Sequence, residues 1–418
     1  MIFSRHPNLT KRFTITMKIT AQNLAGSIAT LVLASHSAQS ASAAWNVSAN
    51  GDWVTDSNWS PAAAPGAVSG TTSTDIATFS TTLTLLGKAI TVDANRNIGG
   101  ISFGNTSAFG FTLTGGNLLL SNAGVIQTLA ADAAHMDTIA SAIAIQGDSG
   151  SASFTALSTN SNTLLNIAGA VTGVSTAGNT TTLNLNGTNL GGNEVTGIIG
   201  DGSLGGKLAL TKSAAGTWFL AGSNTYTGTT TLTAGTLVAE NANALGNGGN
   251  LTFGGGTLRY TSDSAGTDWS TRFKNSTAAA IILDLNFQDV TLAGVIDSSN
   301  TAGLTRSGAG SLTLSGANTY TGVTTIGGNT ASAVASYLKL NNALALGGGG
   351  NLTFTNGTLQ FSTNNTVDYS SRIVGSTSAV NIDTNGQSVT FASPLVASNV
   401  NGLTKLGLGS LTLEGDRR

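Results

Sequence analysis

Few residues of this chain are equipped for acid–base, nucleophilic or metal chemistry. Its 418 residues include no Cys and three His, and His6 and His36 fall in the N-terminal leader. That leaves His135. A catalytic triad or a metal site needs several converging partners, so His135 reads as a partly buried or surface histidine. Glycosidic bond cleavage needs two facing carboxyl groups, and the pairs on offer are Asp52/Asp56, Asp263/Asp268 and Asp284/Asp289. Asp268 and Asp284 return 100 and 99 residues on as Asp368 and Asp383. A turn aspartate is copied naturally with its structural unit, whereas a catalytic group acts once, in one pocket. Arg272 and Arg372 recur beside Asp268 and Asp368, and the spacing predicts an Asp268–Arg272 ion pair at a rung edge. The run Gly347–Gly350 lacks the Lys-Ser/Thr of a phosphate loop and the Asp of a calcium-binding nonapeptide, so it reads as turn. No residue is assigned a catalytic, cofactor-binding or metal-binding role, and no cofactor is expected.

The elements that would carry any chemistry are repeated ones. Gly216-Thr217-Trp218-Phe219-Leu220-Ala221-Gly222-Ser223-Asn224-Thr225-Tyr226-Thr227-Gly228 returns 94 residues later as Gly310-Ser311-Leu312-Thr313-Leu314-Ser315-Gly316-Ala317-Asn318-Thr319-Tyr320-Thr321-Gly322. Gly409-Ser410-Leu411-Thr412-Leu413-Glu414-Gly415 begins it a third time. Other segments keep the same order. Leu304-Thr305-Arg306-Ser307-Gly308 matches Leu403-Thr404-Lys405-Leu406-Gly407, and Asp268-Trp269-Ser270-Thr271-Arg272 matches Asp368-Tyr369-Ser370-Ser371-Arg372, with an insertion near Ser332–Val334. Self-similarity at a fixed period is the mark of a stacked repeat architecture.

Composition agrees. The chain holds 55 Gly, is 40% hydrophobic and only 9% charged. A helical protein needs charged, straight-chain residues on its wet faces, and a disordered one is poor in aliphatics. Runs such as Thr181-Thr182-Leu183-Asn184-Leu185-Asn186 alternate with the strand period, and Gly-Gly, Asn-Gly and Ser-Gly pairs punctuate them. Val125–Ile145 is Ala-rich enough for a short helix, but Ile139, Ile143 and Ile145 fit strands, and strand is the reading adopted. The expected fold is all-β, a parallel β-solenoid with apolar residues inward and Thr/Ser outward. Stacking predicts equivalent residues in register. Asn224, Asn318, Asn250 and Asn351 are expected at left-handed turns, where they could form amide ladders.

Leu24–Ala34 is an apolar core of 11 residues, preceded by basic residues and followed by Ala41-Ser42-Ala43. This is the pattern of a secretory signal peptide, too short for a membrane-spanning helix. Residues 1–43 are read as that leader, with Met17 as an alternative start. Leaving out its Arg5, Lys11, Arg12 and Lys18 leaves 13 basic against 19 acidic residues, a net charge of −6 that gives no footing for nucleic acid. Residues 44–82 hold Trp45, Trp53 and Trp59 and read as a cap for the solenoid end, with sugar stacking by the indoles as the alternative. Residues 83–206 form a divergent solenoid and 207–418 the repeat-bearing one, its third copy truncated.

The block Gly-x-Gly-(Thr/Ser)-(Trp/Leu)-x-Leu-x-Gly-x-Asn-Thr-Tyr-Thr-Gly-x-Thr-Thr, followed by Gly235-Thr236-Leu237 and Asn243-Ala244-Leu245-Gly246, resembles the autotransporter-associated β-strand repeat, or passenger-associated transport repeat. Ala214 stands where the first Gly is due, and the likeness covers about 207–415. The resemblance implies a right-handed β-helical passenger at the bacterial surface, efficient passenger transport, and a C-terminal membrane barrel or sorting tail. Neither of the latter is within residues 1–418, and Glu414-Gly415-Asp416-Arg417-Arg418 breaks the third copy, which implies a fragment, a frameshifted reading or another mode of anchoring. The expected function is a non-catalytic secreted or cell-surface passenger, serving as export-promoting scaffold, stalk or adhesin-like protein. Its expected partners are the export machinery, surface glycans, and host or neighbouring cell surfaces. The alternatives are a polysaccharide-active β-helix enzyme and a carbohydrate-binding surface protein.

Overall fold

A computed structural model describes residues 42–84, 86–129, 133–156, 163–328 and 336–415. The leader, apart from Ser42 and Ala43, lies outside these residues, as do the insertion near Ser332–Val334 and the last three residues.

Alternation of apolar and small polar residues gives 34 short strands among the described residues, with three 3-10 turns and no α-helix. They form two 13-stranded sheets, a six-stranded sheet and a two-stranded one. Every pairing between these strands is parallel except one, Ala43–Trp45 with Trp59–Ser60, which closes one end of the first sheet. This is an all-β parallel solenoid. Along one sheet the chain returns to the same face at Thr217, Thr236, Thr257, Ile282, Thr305, Thr325 and Thr353. The strand N–H and C=O groups of each rung point along the solenoid axis, about half to each side, and the two neighbouring rungs satisfy them. Within Val125–Ile145 the regular elements among the described residues are strands, Asn117–Thr128, His135–Ile139 and Ala142–Ile145, joined by short turns.

The strand Thr180–Gly187 shows why the pattern works. Thr181, Leu183 and Leu185 are fully buried, and the intervening Thr182, Asn184 and Asn186 are half-exposed. The inward residues join one core that runs from Ala43 to Phe391. The outward ones stack across rungs, as Thr211, Thr231 and Thr252 do.

Equivalent residues of successive copies do not stack, contrary to the in-register expectation. Lys207–Lys212 lies in the first large sheet, its equivalent Leu304–Ser307 in the second, and Leu403–Leu406 in the six-stranded sheet. Thr217–Leu220, Gly310–Leu314 and Ser410–Leu413 advance in the same way, from the second large sheet to the six-stranded to the two-stranded one. A copy therefore spans whole rungs plus one face. Tertiary pairing requires only that an aliphatic strand meets another, and any copy's strand meets that condition.

Candidate functional site

The repeated block builds a corner staple. Asn224 is buried; its Oδ1 accepts from the Ile199 N–H (2.7 Å) and its Nδ2 donates to the Ala244 carbonyl (2.7 Å). One side chain thus ties the preceding rung to the following one. Asn318 repeats both bonds, from Ile296 N–H (2.8 Å) and to Ala345 O (2.7 Å). The left-handed reading of Asn224, Asn318, Asn250 and Asn351 is corrected here. Among the described residues the asparagines with positive φ are Asn95, Asn275, Asn286, Asn356 and Asn385. Asn224 and Asn318 act as bridges between backbones, and they form no amide ladder with each other because the copies sit on different sheets. Two residues on, the Tyr226 and Tyr320 hydroxyls are buried against Thr230 Oγ1 (2.7 Å) and Thr324 Oγ1 (2.8 Å). Burial pushes both phenols up to about 12. Gly222 and Gly316 are fixed by contact: a Cβ on either would sit 2.2 Å from the carbonyl oxygen of Gly197 or Gly294.

A second repeated feature is a caged cation. Lys212 is fully buried, and its Nζ donates to the carbonyls of Ser213 (2.8 Å), Ala214 (2.8 Å) and, on the next rung, Ala234 (3.1 Å). Burial pulls its ammonium down to about 8. Arg306 holds the equivalent place, donating to the carbonyls of Gly310 and of Gly327 on the next rung, and burial lowers it to about 10 against the pull of Asp284. Lys405 in the third copy bonds Gly407 O alone and is exposed. These residues carry no assignment from sequence. The signal was present: strand alternation places Leu304 and Arg306, or Leu403 and Lys405, on one face.

The acidic candidates are employed in turns. Asp268 accepts from Ser270 N–H (2.8 Å), Ala293 N–H (2.8 Å) and Gly294 N–H (3.0 Å), and Asp368 from Ser370 N–H (2.8 Å) and Ala392 N–H (2.9 Å). The predicted Asp268–Arg272 ion pair is not formed. Arg272 instead gathers the carbonyls of Leu245 (2.7 Å), Gly246 (3.1 Å) and Gly249 (2.7 Å), and Arg372 those of Leu346 (2.8 Å) and Gly350 (2.7 Å). The carbonyl-rich glycine turn of the preceding rung leaves more acceptors within reach than one carboxylate. Asp284 pairs with Arg259 (2.7 Å) and Asp383 with the amide of Gln360 (2.7 Å). Asp56 accepts from Ala64 N–H (2.8 Å), Asp263 from Ser262 Oγ (3.2 Å), and Asp52 and Asp289 are exposed. Among the described residues the two carboxylates of each candidate pair share no hydrogen-bond partner. Burial raises the Glu194 and Glu240 carboxyls, and the neighbouring charges of Glu240 on the first and Asp263 on the second raise them further. Among the described residues no group of three or more His, Asp or Glu is gathered as a metal ion would require.

His135 has a partner the sequence reading passed over. Its Nε2 lies 3.2 Å from Asp137 Oδ2, and both side chains are buried. Asn105 Nδ2 approaches the same nitrogen at 3.4 Å, and the Phe111 N–H donates to Asp137 Oδ1 (2.9 Å). Burial disfavours the charge on His135, but the Asp137 hydrogen bond and charge outweigh it and raise its pKa; burial likewise raises Asp137 above the usual carboxylate range. Two residues apart on a strand, both were bound to point inward together.

The indoles of Trp45, Trp53 and Trp59 are 1%, 0% and 1% exposed, which removes sugar stacking by these rings. They pack on one another and on Phe79 with centroids 5.0–6.2 Å apart, and Trp53 and Trp59 donate to Pro65 O (3.0 Å) and Trp53 O (2.7 Å).

Corners stapled in the same way, copy after copy, define a repeat-built parallel β-solenoid. Residues 210–239 and 304–328 match the family model of the passenger-associated transport repeat. The adhesin BmaC autotransporter of Brucella suis biovar 1 (strain 1330) is 32% identical over 288 residues, covering 60% of this chain. The chain spans 8% of that relative's length. No solved structure matches it. Among the described residues no helix is long and apolar enough to cross a membrane.

Proposed function

We propose that this chain is a non-catalytic passenger exported by a leader within residues 1–43 and displayed at the bacterial surface, where it acts as an adhesin-like scaffold. The observation that carries this is the stapled corner of Asn224 and Asn318, reproduced bond for bond: the repeated residues are spent on rung-to-rung contacts. The match to an autotransporter adhesin supports the surface assignment. In this reading residues 44–82 cap one end through the tryptophan cluster, 83–206 extend the solenoid, and 207–418 carry the transport repeats. The candidate aspartates and arginines are turn residues rather than a catalytic set.

Protease treatment of intact producing cells, followed by blotting for the chain, tests the location; the chain should be shaved from the surface without lysis. Full protection on intact cells would overturn it. Purified chain should also adhere to a panel of host and bacterial cells and release no reducing sugar from polysaccharides. Sustained reducing-sugar release would replace the scaffold reading with the enzymatic one.

A further inference from the structure

Two turns in the solenoid are the same structure with one discordant residue. In Leu285–Gln288, Asn286 takes φ 47°, its N–H donates to Asp284 Oδ1 (3.1 Å), its Nδ2 reaches Tyr260 O (3.2 Å), and Gln288 Nε2 folds back on Asn286 O (2.9 Å). In Thr384–Gln387, Asn385 takes φ 47°, its N–H donates to Asp383 Oδ1 (2.8 Å), its Nδ2 reaches Phe361 O (3.2 Å), and Gln387 Nε2 folds back on Asn385 O (3.1 Å). The next position also matches: Phe287 N–H donates to Ala309 O (3.0 Å) and Gly386 N–H to Leu408 O (2.7 Å). Both are left-handed, at φ 68° and 82°. Gly is at ease there, while a bulky side chain is strained.

Phe287 is therefore wrong for its backbone, and it is wrong for its surroundings too, because 55% of it is exposed. The turn forms without it, as Gly386 demonstrates, and the ring is not part of the core. Strain that neither folding nor packing explains marks a position used for contact. Two residues on, Asp289 is exposed, where the sister copy has Ser388. We infer that Phe287 and Asp289 form a glycan contact point, the ring lying against the apolar face of a neutral or amino sugar and the carboxylate accepting from its hydroxyl or ammonium groups. A flat apolar face ringed by hydroxyls needs one aromatic and adjacent acceptors. A protein partner would need a contiguous patch of standard interface size, whereas the next rung sets only Gly310 and Ser311 beside Gln288 and Asp289. The net charge of −6 outside the leader disfavours anionic sugars. The inference rests on the surface-adhesin reading.

The test compares the full chain, its Phe287→Gly variant and its Asp289→Ser variant, each copying the sister turn. Readouts are the melting temperature, adhesion to cells, and retention on immobilised mannan, galactan, glucan and chitosan. Phe287→Gly should raise the melting temperature by about 1–3 °C through strain relief. It should also weaken retention by about tenfold or more as the aromatic surface is lost. Asp289→Ser should weaken retention with the melting temperature unchanged, and periodate treatment of target cells should abolish adhesion by the parent chain. If the parent adheres and Phe287→Gly adheres equally, the contact point falls while the adhesin reading stands. Adhesion destroyed by protease but not by periodate would show a protein partner and overturn the glycan assignment. Adhesion by the parent to no cell and no polysaccharide would sink both.

Discussion

Replacing Asn224 by Ala should rank among the most damaging single changes in the repeat region. The side chain is 1% exposed and makes two bonds of 2.7 Å, one to each adjoining rung. Its removal leaves the Ile199 N–H and the Ala244 carbonyl buried with no partner, since water has no access to that corner. Each orphaned buried group costs about 1–3 kcal/mol, so the variant should lose roughly 2–6 kcal/mol. Asn318→Ala should lose the same within about 0.5 kcal/mol, because its environment is the same and the two corners share no partner. A solenoid can open a few rungs at a time, so a global melt alone would blur the effect. Amide hydrogen exchange reads it locally. Protection of the segments containing Ile199 and Ala244 should fall in Asn224→Ala, and that of Ile296 and Ala345 in Asn318→Ala, each sparing the other copy. A loss below about 1 kcal/mol in both variants would refute the staple. So would exchange that rises uniformly along the chain.

Other outcomes follow from buried polar atoms. The Tyr260 hydroxyl is fully buried with no hydrogen-bond partner, and the sister copy carries Phe361 there, so Tyr260→Phe should leave stability unchanged or raise it by up to about 1 kcal/mol in urea unfolding. Lys212 titrates near 8 when folded, against 10.5 ordinarily. Its charged form is the disfavoured one, so the penalty is complete below about pH 8 and fades as pH climbs towards 10.5. The parent should therefore gain thermal stability over that window relative to Lys212→Met; a flat difference curve would contradict the caged charge. His135 and Asp137 are both shifted upward, so the native state binds more protons than the unfolded one. The stability the His135 proton supplies is complete below its ordinary value of 6.5 and disappears as pH rises through the folded value. The double variant His135→Gln, Asp137→Asn should lose that downward slope in melting temperature as pH rises above 6.5.

Much of the fold was legible because a strand records its own burial. Thr181–Asn186 announces two faces with no knowledge of its neighbours, and the 94-residue echo announces stacking. What could not be read was how far a copy turns. That depends on rung length, which varies with every loop, and the alternation of Leu210 or Leu304 is satisfied on any face. The side-chain roles split along the same line. Asp268 and Asp368 were readable as turn residues, since an Asp two before a Ser caps its neighbour locally. Arg272 was misread, because its partners are carbonyls 23 to 27 residues earlier in the chain. Asn224 was placed at a corner for the wrong reason, its partners lying on rungs to either side. Asp137 was within reach of the two-residue strand rule, and Phe287 stands out only once both turns can be superimposed bond for bond.

The change of sheet from one copy to the next has a consequence for a rod of this kind. A residue encoded once per copy is displayed at a new azimuth each time, so its occurrences wind about the long axis like a thread on a screw. The equivalents Lys212, Arg306 and Lys405, in three different sheets, already mark two steps of that winding. A longer array of such copies has no privileged side. Weak corners are spread around the circumference, which leaves the rod without a preferred direction of bending, and a flat surface approached from any angle meets the same inventory of side chains.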